Sequence, residues 1–496
     1  MSNFLSRRFF LTALTSTVAT PLLANAPERS LRPHLRPESL GKQPVKTVEE
    51  LIKAANLNGD VAFSVVEIGT GKVLEQHGIT TGLPPASVSK AVTALYALDA
   101  LGPNHRFQTR VVATKPIENG VLRGDLILVG GADPTLSTDH LGELVQTLAT
   151  AGLKRVEGRF LVYGGALPFA ETIDPEQPLH VGYSPAISGI CLNFNRVYFD
   201  WKKTADGYDT AMEARSAKHR PKVHVARVSL TDNKTPIFAY SAKNGKDNWT
   251  VARHALNKAG GRWLPMRQPE IYAGEVLRWH ARAQGITLPS PQKTTSFPLG
   301  ETLATHSSGP LTDVLRDMLK YSTNVTAEMV GLSATLARGT YAASLRASGQ
   351  HMSEWAAERL GMAQAKFMDH SGLSDRSRMD ASELALALAA FQRKEILHPI
   401  LKPITLKHEN GSPNKDHPIN VHAKTGTLNF VSGLAGYLES SQGEEMAFAI
   451  FAADTDTRSK LTRDQRERPR GAKSWNSRAK KLQQKLIERW GLVYAS

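Results

Sequence analysis

The feature that most limits the fold of this chain is a missing rhythm. Helix-like and strand-like stretches are mixed along it, yet they do not alternate strand, helix, strand. A doubly wound parallel sheet needs that alternation, because its strands are joined by helical crossovers. The pattern predicts an α+β fold. Residues 61–68 are a run of strand formers, Gly69-Thr-Gly-Lys72 is a turn, and residues 73–76 read as the returning strand. Pro84-Pro85 then stops the chain and opens a helix to about Leu101, which Gly102-Pro103 ends.

From about Phe107 to Pro298 the texture changes. Short apolar runs, such as residues 126–129, alternate with turn signals such as Gly130-Gly131. The segment 107–298 therefore reads as one or two inserted β-rich modules. Helical patterning returns over 311–320, 325–336 and 381–391. Residues 431–439 and 446–453 read as a hairpin joined by Ser440-Ser-Gln-Gly443. At 496 residues the chain has room for about three domains.

Composition narrows the setting. With one cysteine, Cys191, neither a disulfide scaffold nor a thiolate zinc cluster is available. The formal charge is +15, and it is unevenly spread. Between Arg458 and Arg489 there are 12 Lys or Arg against three acids. That stretch suits either an anionic partner or a solvated helix face, and Trp475, Leu482, Leu486 and Trp490 recur at helical spacing within it. At the other end, Arg7-Arg8, an apolar run from Phe9 to Leu23 and Ala24-Asn25-Ala26 make an export signal over 1–26, twin-arginine in style. Residues 27–45 read as a linker. The expected location is periplasmic, with no membrane span in the mature chain, and a nucleic-acid partner is not expected.

Three short motifs carry chemistry. Ser87-Val-Ser-Lys90 lies at the start of the helix after Pro84-Pro85. Residues three apart share a helical face, so Ser87 and Lys90 can be neighbours. The N–H groups of a first helical turn lack internal partners and can face a developing oxyanion. Ser322-Thr-Asn324 falls between two expected helices, and Lys424-Thr-Gly-Thr427 precedes the last strands. A glycine within a strand often marks close approach by another group. A serine hydroxyl needs an adjacent base, and burial or neighbouring cations bring a lysine from about 10.4 to about 7–8.

Together the motifs resemble the signature set of class A β-lactamases and penicillin-binding proteins. The wider pattern is similar to the type-4 penicillin-binding proteins, D-alanyl-D-alanine carboxypeptidase/endopeptidases of the bacterial periplasm. Residues 85–103 resemble that family's nucleophile helix, including Thr93. Gly124-Asp-Leu-Ile-Leu128 with Gly130 and Asp133-Pro-Thr-Leu136 resembles a hallmark of its inserted domain. His306-Ser-Ser308, Ala327-Glu-Met329, Asp369, Ser371-Gly-Leu-Ser374 and Ser432-Gly-Leu-Ala-Gly436 match further segments. His370 stands where the family often has glycine, with an altered local turn as the expected effect.

The resemblance implies a transpeptidase/β-lactamase-like domain, an antiparallel sheet flanked by helices. It would comprise 46–106 and 299–496, split by the insertion 107–298. The implied catalytic residues are Ser87 as nucleophile, Lys90 as base and Ser322 as proton relay. Asn324 would orient Lys90 and the substrate amide. Lys424, Thr425, Gly426 and Thr427 would bind substrate, with the Ser87 and Thr427 N–H groups as oxyanion hole. No metal or cofactor is implied. Peptidoglycan peptides are the implied substrate, and β-lactams the implied acylating inhibitors. Two other readings stay open at this level: a β-lactamase or esterase with the same triplet, and a non-catalytic cell-wall-binding scaffold.

Overall fold

The structure is a computed structural model that describes residues 45–78 and 82–495. The export signal and nearly all of the expected linker lie outside the described residues. A six-stranded sheet dominates. Its strands run in the spatial order Lys402–Pro403, Asn420–Leu428, Val431–Glu439, Glu445–Ala453, Asp60–Glu67, Val73–His77. Every neighbouring pair is antiparallel. The N-terminal strand Asp60–Glu67 pairs along its whole length with Glu445–Ala453, so the sheet joins segments far apart in sequence.

Side chains of a strand alternate between faces, and here both faces are covered. In Glu445–Ala453, Ala447, Ala449, Phe451 and Ala453 join one core, while Met446, Phe448, Ile450 and Ala452 join the other. The first core is built with the helices Ser89–Leu101, Leu311–Tyr321, Asn324–Ala337, Leu345–Leu360 and Ala381–Ala389. The second is closed by Val48–Ala55 and the long helix Ala472–Val493. Trp475, Leu482, Leu486 and Trp490 of that last helix are buried, as their spacing predicts. Trp490 also donates its indole N–H to Glu75 at 2.7 Å, which is a partner a buried tryptophan usually requires.

The basic C-terminal stretch is only partly a solvated face. Arg458 is 3% exposed and pairs with Asp375 at 2.6 Å. Arg466 pairs with Glu176 at 2.8 Å, and Arg489 with Glu75 at 2.8 Å. Part of the local cationic excess is thus consumed inside the fold.

The inserted segment has its own core and a five-stranded mixed sheet. The order is Pro291–Thr294, Phe160–Tyr163, Leu126–Val129, Gln108–Ala113, Glu301–Ser307. Three three-stranded sheets add to it. The segment is less purely β than its texture suggests, because helices Thr138–Thr150 and Pro269–Ala283 pack on one another and on the sheet. Glu301–Ser307 pairs with Gln108–Ala113, so the expected boundary at 298 falls just before the sheet's return strand. A local strand pattern cannot reveal which sheet that strand completes. The helix expected over 381–391 ends at Ala389, and extended Ala390 separates it from Phe391–Leu397.

Candidate active site

Ser87 sits in a short 3-10 turn, Ala86–Val88, that runs straight into the helix Ser89–Leu101. Ala86 has φ 46°, a left-handed conformation costing ~1–2 kcal/mol in an L-residue. Three glycines close around this turn. A Cβ on Gly372 would lie 1.8 Å from the Ala86 carbonyl oxygen, one on Gly426 2.6 Å from the Pro85 oxygen, and one on Gly433 3.1 Å from that same oxygen. The turn is therefore clamped between the loop containing Gly372 and two strands of the main sheet.

Lys90 is fully buried, and its Nζ has three partners: Ser87 Oγ at 2.9 Å, Asn324 Oδ1 at 2.8 Å and the Ser371 carbonyl at 2.7 Å. Burial brings its pKa down to about 8, while the nearby carboxyls of Asp369 and Glu328 hold it from falling further. Asn324 opens the helix Asn324–Ala337, and its Nδ2 donates to the Tyr183 carbonyl of the inserted segment at 3.0 Å.

Lys424 is the second buried lysine, 1% exposed. Its Nζ donates to Ser322 Oγ at 3.0 Å and to the Thr425 carbonyl at 2.7 Å. Its pKa falls well below the ordinary lysine value through burial, then through Lys90 and Lys402. Burial is the largest cause at both lysines, and crowding by a neighbouring lysine adds to it at Lys424. Ser322 ends the helix Leu311–Tyr321 in a left-handed conformation, φ 57°. Thr425 is half-buried and Thr427 exposed on the same strand, with Gly426 between them against the Ser87 turn.

The three motifs are thus brought into one place as two linked groups, Ser87–Lys90–Asn324 and Ser322–Lys424. Thr427 makes no side-chain bond within either group. Sequence reasoning assigned no role to four further participants: the Ser371 carbonyl, the Tyr183 carbonyl, Glu328 and Asp369. Glu328 and Asp369 are both buried, and each carboxyl is pushed above its ordinary range by burial. Both stand in segments quoted for the resemblance, but a backbone carbonyl and a distant carboxyl leave no local pattern. His370 fits because Gly331 has no side chain: a Cβ there would lie 2.1 Å from the imidazole ring. Among the described residues no group of three or more His, Cys, Asp or Glu is placed to hold a metal ion, and no helix is long and apolar enough to cross a membrane.

A strained serine turn, a buried lysine beside it and a second lysine holding a second serine have the arrangement that serine acyl transfer requires, on an α+β transpeptidase fold. The family model of D-Ala-D-Ala carboxypeptidase 3 (S13) matches residues 45–470, and the chain belongs to that family. It is a serine-type hydrolase, a D,D-peptidase of peptidoglycan. The chain is 26% identical over 439 residues to the D-alanyl-D-alanine carboxypeptidase of an Actinomadura species, covering 81% of this chain and 79% of the relative. It is 24% identical over 425 residues to D-alanyl-D-alanine carboxypeptidase DacB of Haemophilus influenzae, covering 82% and 87%. The crystal structure of penicillin binding protein 4 (dacB) from that organism superposes with a TM-score of 0.70 at 20% identity, over 89% of this chain and 99% of the other. A second structure of it, complexed with a β-lactam, gives 0.68 at 19% identity.

Proposed function

We propose that Ser87 is the acylated nucleophile and Lys90 its base, acting on the D-Ala-D-Ala end of peptidoglycan stem peptides. The partners of Lys90 Nζ carry this reading. A neutral amine has two N–H groups and one lone pair. The Ser371 carbonyl and Asn324 Oδ1 can only accept, so they take the two N–H groups. The lone pair is left facing the Ser87 hydroxyl. With a pKa of about 8, a useful fraction of Lys90 is neutral near pH 7.

In acylation, Lys90 takes the hydroxyl proton as Ser87 Oγ attacks the carbonyl carbon of the penultimate D-alanine. The N–H groups of Ser87 and Thr427 hold the oxyanion, and one such donor lowers the barrier by about 2.7–4 kcal/mol. The C–N bond then breaks. Ser322, held by Lys424, relays the proton taken up by Lys90 to the departing amine of D-alanine or of a cross-linked peptide, which leaves Lys90 neutral again. Lys424, Thr425 and Thr427 hold the terminal carboxylate. Water then attacks the acyl-enzyme, Lys90 accepts its proton and returns it to Ser87 Oγ as the ester bond breaks, and the free serine is restored.

β-Lactams present a strained amide to the same serine and would acylate it. The Haemophilus influenzae structure with a bound β-lactam supports this. The catalytic domain is read as residues 46–106 with 308–496, the return strand Glu301–Ser307 belonging to the insertion, and the strand pairing of Asp60–Glu67 with Glu445–Ala453 supports this split. A periplasmic site of action follows from the substrate and from the export signal read in residues 1–26.

Intact-mass measurement after brief exposure to penicillin, beside a Ser87→Ala variant, tests the reading. One adduct on the parent and none on the variant is the expected result. Fast penicillin loss without an adduct would assign a β-lactamase, and neither adduct nor loss would leave a wall-binding scaffold.

A further inference from the structure

The loop from Asp369 to Ser374 is held in an unusual way. Five consecutive backbone amides all donate to side-chain oxygens. His370 N–H and Ser371 N–H donate to the two oxygens of Glu328 at 3.0 and 2.8 Å. Gly372 N–H and Ser374 N–H donate to the two oxygens of Asp369 at 2.6 and 2.7 Å. Leu373 N–H donates to Ser371 Oγ at 3.3 Å. With its amides so held, the loop turns two carbonyls toward the Lys90 helix. The His370 carbonyl accepts from Thr93 Oγ1 at 2.6 Å, and the Ser371 carbonyl accepts from Lys90 Nζ at 2.7 Å.

Glu328 is wholly buried, and the mechanism above does not use it. It lies one helical turn after Asn324 on the same helix, and residues four apart share a face. One helix therefore supplies one acceptor of Lys90 directly, through Asn324, and fixes the other, through Glu328 and the Ser371 backbone. We infer that Glu328 is a positioning residue for the base: its carboxyl clamps the His370–Ser371 backbone, so that the Ser371 carbonyl takes one Lys90 proton and the lone pair faces Ser87.

The clamp has an electrostatic side. The charged groups around Lys90 are Glu328 from its helix, Asp369 from the loop and Lys424 from the sheet. Asp174 of the inserted segment faces Asp369, and His370 is buried and held neutral. Glu328 and Asp369 favour protonated Lys90. Removing a carboxylate therefore makes Lys90 easier to deprotonate, even as its aim is lost.

That opposition gives the test. The inference rests on Ser87 acylation, so acylation by a chromogenic cephalosporin is measured against pH, with saturation separating affinity from rate. Glu328→Gln keeps one acceptor but turns an N–H donor toward an amide N–H. Its plateau rate is expected to fall about 10–100-fold, because small misplacements of reacting groups cost about that much. Its acid limb should move to lower pH, with affinity unchanged. Glu328→Asp keeps a carboxyl on a stem one methylene shorter, so its plateau should fall while the limb stays. A residue that merely stabilised the fold would not move the limb in one variant and spare it in the other.

If the parent acylates at Ser87 but both variants keep the plateau within about twofold and the limb in place, the inference is overturned while the proposed function stands. A parent without a Ser87 adduct overturns the function itself. Amide exchange in the parent needs no variant and serves if either variant fails to fold. The 370–374 amides should exchange slowly, and exchange as fast as in an open loop would remove the clamp.

Discussion

The α-carbon of Gly426 faces the carbonyl of Pro85 so closely that a methyl group there would stand 2.6 Å from the oxygen. The same methyl would stand 3.1 Å from the Val88 nitrogen. The strand that carries Lys424 and Thr427 therefore touches the turn that carries Ser87 through bare backbone. Gly426→Ala must force strand and turn apart. Acylation should fall by at least about 100-fold, since a shift of about 1 Å between reacting groups costs that much. The check is the adduct rate in intact-mass time courses, with circular dichroism to establish that the fold survives.

The pH dependence of the parent follows from Lys90. Its pKa is about 8 in the folded protein, and only the neutral amine accepts the Ser87 proton. The second-order acylation rate should rise about tenfold per pH unit below that value and level off above it. Lys90→Arg keeps the charge, cannot act as a base at these pH values and should abolish acylation at every pH. A limb that persists unchanged in Lys90→Arg would assign the proton transfer elsewhere.

Lys424 is the residue read as the carboxylate anchor. A hydrogen bond to a charged group is worth about 1.5–3 kcal/mol. Lys424→Gln should therefore raise KM by about 10–100-fold for peptides ending in a free D-alanine carboxylate. Peptides amidated at that end should bind the parent and the variant alike. Steady-state kinetics on the paired peptides decide it, and equal rises in KM on both would leave Lys424 with only its hold on Ser322.

His370 links the site to acid stability. It is fully buried, stacks on Tyr96 and lies 2.7 Å from Ser348 Oγ. Burial lowers its pKa to about 3, whereas an unfolded histidine titrates near 6.5. Between those values the unfolded chain binds the extra proton, so the histidine's contribution to stability falls as pH falls. The raised carboxyls of Glu328 and Asp369 act in the opposite sense, losing stability as pH rises toward about 6 for Asp369 and about 8 for Glu328. The comparison must therefore be between parent and His370→Gln. Urea melts at pH 7 and pH 5 should show a larger acid loss in the parent than in the variant.

Asp375 joins two buried arginines. It lies 2.6 Å from Arg458 Nε and 3.5 Å from Arg466 Nη1. Removing one partner of a buried pair leaves the other charge uncompensated, at a cost of about 3–5 kcal/mol. Asp375→Ala should lower the denaturation midpoint strongly. A shift too small to distinguish from an exposed substitution would mean that solvent reaches Arg458 on loss of its partner.

Much of the site was legible because its signals are local. Ser87 and Lys90 are three apart at a helix start, and Gly426 interrupts a strand where another backbone approaches. The clamp was not legible, because it joins Glu328 to a loop 42 and 43 residues further on through backbone amides. Any side chain can stand above an amide, so no residue type marks the contact. The helix Thr138–Thr150 was a readable omission. Leu141, Leu144, Val145 and Leu148 are buried at helical spacing, and Ser137 caps the start. Its short apolar neighbours drew the whole segment toward a β reading. The return strand Glu301–Ser307 was hidden for another reason, since its partner lies almost 200 residues earlier.

The pairing of Asp60–Glu67 with Glu445–Ala453 has a consequence for the order in which this protein becomes active. A ribosome delivers the serine long before it delivers the strand that walls the serine in. Until the last third of the chain has emerged, Ala86 has no Gly372 or Gly426 beside it, and Lys90 lacks the Ser371 carbonyl. Pairings of such long range are slow to close. On the proposed roles, an incomplete chain therefore carries Ser87 without the means to use it, and hydrolytic capacity arrives only with completion of the sheet.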